Sequence, residues 1–133
     1  MAKAKLYSWG TVDVDFKDGE THWKHATKAK LRGKWFAVHR QLEPDHYNRT
    51  ASPTKEVRYS ITHTPTGYSL LFYDRERDCW PVIDRLTALQ VDWPALTPET
   101  ARSLPDRDRQ AIKAALRTDE QIVAATRRLL TAH

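Results

Sequence analysis

The chain has 133 residues, a formal net charge of +5 and one cysteine. That length suits a single domain with its own core, the lone Cys79 excludes an internal disulfide, and four Gly with seven Pro are too few for a low-complexity chain. The opening MAKAKLYSWG lacks the apolar stretch of a secretory signal and no apolar run suits a membrane span, so a cytoplasmic protein with no membrane partner is expected.

TVDVDF (11–16) alternates strictly, with Val12, Val14 and Phe16 on one face and Asp13 and Asp15 on the other. Asp18-Gly19 then reads as a two-residue hairpin loop. A fold at that point sets Phe16 opposite Thr21, Val14 opposite Trp23 and Asp15 opposite His22. Arg32-Gly33 reads as a second tight turn, which sets Ala29 opposite Phe36 and Thr27 opposite Val38. On this register Lys28, Lys30, Trp35, Ala37 and His39 share the solvent face of the sheet. A helix over 21–32 is the rival reading, since Ala, Lys and Leu form helices well.

The segment EPDHYNRTASPTKE (43–56) has the composition of a loop. EVRYSITH (56–63) and YSLLFYD (68–74) form a third hairpin, with Pro65 early in the turn and Gly67 at a left-handed exit. The chain then becomes helical. DCWPVIDRLTALQ (78–90) carries Val82, Leu86 and Leu89 at helical spacing, with Asp78 as its cap. Thr97-Pro98 starts a short helix through about Leu104, and DRDRQAIKAALR follows Pro105. Thr118 to Gln121 is a capping box for a last helix that ends near Leu130. The expected fold is therefore α+β: an N-terminal antiparallel meander of about five strands packed on one face by three to four C-terminal helices. The whole chain, 1–133, is expected to be one domain, with a β-meander half (1–76) and a helical half (77–133).

Charge placement is more informative than net charge. Residues 1–50 hold 10 basic and 6 acidic residues, 51–90 hold 5 of each, and 91–133 hold 7 and 6. The excess is concentrated in THWKHATKAKLRGKWFAVHR (21–40), which has no acidic residue. Localised positive charge beside aromatic rings is how single-stranded nucleic acid is held: cations meet phosphates and bases stack on rings. The candidate nucleic-acid-binding residues are Lys28, Lys30, Arg32, Lys34, Trp35, His39, Arg40 and Arg58. The bland alternative is a wet sheet face whose lysines guard edges.

No motif names a reaction. The histidines and Cys79 lack zinc-ligand spacing, and Gly-rich phosphate loops and GxSxG are absent from the sequence. No cofactor or metal is expected. His39 and His63 on neighbouring strands are the one acid–base pairing open to consideration. The C-terminal arginines alternate with Asp106, Asp108, Asp119 and Glu120, which reads as a solvated face rather than a DNA-reading helix. Five tryptophans in so short a chain also fit a protein-binding regulator or inhibitor, of the kind phages and mobile elements carry, acting through an aromatic surface or an open edge. A homodimer through such an edge is compatible with either reading.

Overall fold

The computed structural model describes residues 7–97, 99–100 and 103–131. Seven strands come first: β1 (Ser8–Asp18), β2 (Thr21–Arg32), β3 (Phe36–Arg40), β4 (Leu42–Asp45), β5 (Thr50–Pro53), β6 (Tyr59–His63) and β7 (Tyr68–Tyr73). Helix α1 (Glu76–Ala88), a 3-10 turn (Trp93–Ala95), α2 (Asp106–Ala115) and α3 (Asp119–Thr131) follow. The class is α+β, as expected. A five-stranded antiparallel sheet has the order β1-β2-β3-β6-β7, and β4-β5 form a separate hairpin. The helix expected over 97–104 includes residues outside the described set. Among the described residues no helix is long and apolar enough to cross a membrane.

The first hairpin keeps the expected faces but shifts register by two residues. Its loop is Gly19-Glu20 rather than Asp18-Gly19, so Asp18 pairs with Thr21 and Phe16 with Trp23. Gly19 has φ +63 at the first loop position, and Glu20 stays on the negative side, the pattern of a type II′ turn. The shift brings the Phe16 and Trp23 rings into a stack with centroids 4.7 Å apart. Such a pair is worth roughly 0.5–1.5 kcal/mol beyond its area.

The second hairpin differs in kind. Its loop has three residues, Gly33-Lys34-Trp35, so Arg32 pairs with Phe36 and Lys30 with Val38. That is an odd shift from the expected register, and an odd shift exchanges faces. Lys30 and Arg32 therefore share a face with Phe36 and Val38, while Ala29 shares a face with Ala37 and His39. The loop is held in place by Thr64, whose N–H donates to the Trp35 carbonyl at 3.0 Å and whose hydroxyl donates to the Lys34 carbonyl at 2.7 Å.

The sheet consequently has apolar residues on both faces. Phe36, Val38, Ile61 and Tyr73 pack outward against Cys79, Trp80, Val82, Ile83 and Leu86 of α1 and against Trp93. The α1 residues recur at three- and four-residue spacing, which places them on one helix face. Val12, Val14, Ala29 and Ala37 form a second cluster inside the curl of the sheet, with Phe16, Leu31 and Leu42 around it. The curl is fastened where the Asp15 N–H donates to the Gly67 carbonyl at 2.8 Å.

Two further corrections and one agreement follow from packing and capping. The 43–56 segment is not a loop but the β4-β5 hairpin. Asp45 turns it, accepting from the backbone N–H groups of Tyr47 and Asn48 and from the Asn48 amide. The hairpin leans on the inner side of the sheet, where the Trp23 indole donates to His46 Nδ1 at 3.0 Å. Helix α1 begins two residues before the expected Asp78, so Pro81 lies inside it rather than in its first turn. The last helix has its expected capping box: Gln121 N–H donates to Thr118 Oγ1, and Thr118 N–H to Gln121 Oε1.

Candidate nucleic-acid interface

The eight candidate residues do not form the flat face expected of them. Trp35 is half-buried in the β2-β3 loop and packs against the outer core, so it is no open platform. His39 is buried on the inner face, 5 % exposed, with Nδ1 2.7 Å from the Arg40 carbonyl and Nε2 2.7 Å from Thr62 Oγ1. Burial lowers its pKa below the usual histidine range. Arg32 pairs with Asp84 of α1 through Nε at 2.9 Å and Nη2 at 3.1 Å. Arg58 lies over Phe72 and pairs with Glu56 at 2.6 Å and Asp74 at 3.7 Å. Lys34 is exposed at the loop tip.

Four of the eight line one groove, His39 from its buried position and three others with their cationic side chains. Lys28, Lys30 and Arg40 line one groove of about 350 Å³ together with Trp9, Tyr59 and Glu76. The β1-β2 register explains the convergence: Trp9 pairs with Lys30 and Thr11 with Lys28, which places these side chains on one face. Lys28 Nζ lies 4.5 Å from the Trp9 ring centroid, and Lys30 Nζ lies 5.1 Å from it and 4.6 Å from the Tyr7 ring. Trp9 is 58 % exposed and meets Tyr7 edge-on at 5.7 Å.

Charge in the groove is only partly cancelled. Lys30 bonds to Glu76 Oε1 at 2.6 Å, and this hydrogen bond raises its pKa. The Lys30 and Arg32 bridges thus tie β2 to α1. Lys28 and Arg40 enter no ion pair among the described residues. Arg40 Nη2 donates to the Thr54 carbonyl at 3.1 Å, while Arg40 Nε is buried without a partner. Exposed rings beside such cations can accept a nucleobase, and the cations can meet its phosphates.

Trp9, Tyr59 and Glu76 went unrecognised as groove residues. Trp9 has the same parity as Asp13 and Asp15, the polar side of β1, and that parity was the available signal. Tyr59 and Glu76 reach the groove only through β3-β6 pairing and the docking of α1, which leave no local trace.

The acid–base pairing of His39 with His63 does not exist. The two rings lie on opposite faces of the sheet. His63 is 1 % exposed, with Nε2 2.8 Å from the Trp93 carbonyl and Nδ1 2.9 Å from Thr66 Oγ1. It pins the 3-10 turn to the β6-β7 turn. Cys79 is fully buried, and burial pushes its thiol up to about 12. Among the described residues no three His, Cys, Asp or Glu side chains group as metal ligands. Comparisons with protein-family models, curated proteins and solved structures found no match for this chain.

Proposed function

We propose that the chain binds single-stranded DNA or RNA, without catalysing a reaction, along the groove of Trp9, Lys28, Lys30 and Arg40. The observation that carries this reading is Trp9, an exposed indole with two lysine ammonium groups within about 5 Å. A base stacks on Trp9 in the role first assigned to Trp35. Lys28 and Arg40 meet phosphates and release counterions. Lys30, held by Glu76, sets the groove wall more than it adds free charge. A lone, buried thiol fits the reducing cytoplasm for this activity.

Fluorescence anisotropy with labelled single- and double-stranded oligonucleotides tests this reading across a salt series. Two to three phosphate contacts give a slope of log K against log salt of about −1.4 to −2 for single strands. Trp9→Ala weakens binding about fivefold or more, and Lys28→Glu flattens the slope. Absence of binding at low salt, or a Trp9→Ala chain that binds as tightly as the parent, overturns it.

A second reading has one observation in its favour. Strand β7 is an edge of the sheet, and Leu71 and Phe72 on it are each 44 % exposed. An edge with exposed apolar side chains accepts a partner strand, either from a target protein or from a second copy of this chain. A protein-binding regulator or inhibitor would use it so. Light scattering across protein concentration, with Leu71→Lys as the edge-blocking variant, separates self-pairing from a monomer.

A further inference from the structure

The inner face of the sheet holds a larger open cavity, of about 630 Å³, between β1 and β7. Val14, Phe16, Leu42 and Phe72 give it apolar walls, and His39, Ser60 and Ser69 lie along its polar floor. Its size falls in the range of about 300–1,000 Å³ usual for small-molecule sites, and it borders the Trp9 groove, sharing His39 and Leu42 with it but not Trp9.

The floor contains a hydrogen-bond chain with a fixed direction. The Arg40 carbonyl can only accept, so His39 Nδ1, 2.7 Å away, carries the proton and donates to it. In the neutral ring Nε2 is then an acceptor, and Thr62 Oγ1 at 2.7 Å donates to it. With its proton spent there, Thr62 Oγ1 accepts from Ser69 Oγ at 2.9 Å. Ser69 in turn has given its proton inward, and its lone pairs face the cavity. Burial keeps His39 neutral, which preserves this direction. The Gln41 side chain lines the same cavity, and its Oε1 is buried without a hydrogen-bond partner. Buried polar atoms are rarely left unpaired, and this one is closed off from solvent as well as from protein donors.

We infer that the inner cavity binds a small aromatic molecule bearing a hydrogen-bond donor, a phenol in the simplest case, with the donor on Ser69. The apolar walls take the ring. The Ser69 acceptor favours a hydroxyl or N–H over an ether or ketone of the same shape, because only a donor can complete the hydrogen-bond chain.

The probes are 2-naphthol and 2-methoxynaphthalene, which share an apolar body and differ in the donor. Each is titrated into the 15N-labelled full chain near pH 7.5 while amide resonances are followed. The expected result is saturable naphthol binding, with shifts centred on Val14, Ser60, Ser69 and Phe72. The methoxy compound binds about fivefold more weakly. Ser69→Ala, a change at an exposed position, weakens naphthol to the level of the ether and leaves the ether unchanged. Trp9→Ala leaves both unchanged, so this result stands or falls apart from oligonucleotide binding. Equal affinity for the two probes, shifts centred on another face, a preference surviving Ser69→Ala, or no saturation up to the solubility limit each overturns the inference.

Discussion

His39 and His63 make stability depend on pH above the range where carboxylates titrate. Both rings are buried, and burial lowers both pKa values below the ordinary histidine value of about 6.5. Each is neutral in the folded chain and takes up a proton more readily once unfolded. The unfolded state therefore binds more protons, so stability rises with pH and is lost as pH falls through about 6.5. In the limit where neither ring is protonated in the folded chain, each costs about 1.4 kcal/mol between pH 7.5 and 5.5. Together they remove about 2.7 kcal/mol, a large share of the stability of a domain this size. Urea unfolding at pH 7.5, 6.5 and 5.5, read by far-UV circular dichroism, measures the loss. His39→Gln and His63→Gln each lower stability at pH 7.5 but remove about half of the pH dependence, and the double variant removes nearly all of it. The reasoning is refuted if the parent loses less than about 0.5 kcal/mol over this range, or if the double variant keeps the parent's slope.

Other expectations are equally direct. Gly67→Ala is more damaging than Gly19→Ala although both residues have positive φ. A Cβ on Gly67 meets the Asp13 carbonyl oxygen at 2.4 Å and Asp15 N at 3.1 Å, whereas one on Gly19 meets nothing within 4 Å. Denaturant midpoints are expected to show a loss of about 1 kcal/mol at Gly19 and over 2 kcal/mol at Gly67. Cys79 does not react with an aromatic disulfide reagent at neutral pH in the folded chain, because its thiol is buried and its pKa pushed to about 12. It reacts fully in denaturant, and rapid labelling of the native chain would contradict the packing of α1. In the oligonucleotide assay Trp35→Phe leaves affinity unchanged while Trp9→Ala lowers it, and the reverse order would return the stacking role to Trp35.

Much of the architecture was legible because it rests on local rules. Alternation in TVDVDF set the two faces of β1, and a two-residue error in the turn left those faces intact because side chains alternate with period two. Thr118 to Gln121 announced its helix because a capping box is made wholly by neighbours in sequence. The class, the β-before-α order and the concentration of positive charge in residues 21–40 needed nothing more. The tertiary structure decided the candidate site. Whether the Arg32–Phe36 connection has two or three loop residues fixes which side Phe36 and Val38 take relative to Lys30, and that choice depends on Thr64, about thirty residues away. The odd shift put Lys30 and Arg32 against α1, drew His39 into the inner floor and half-buried Trp35. Trp9 became the exposed ring among the lysines through its pairing with Lys30. The cavity between β1 and β7 exists because the sheet curls until Asp15 meets Gly67, a contact between residues 52 apart that no local pattern encodes.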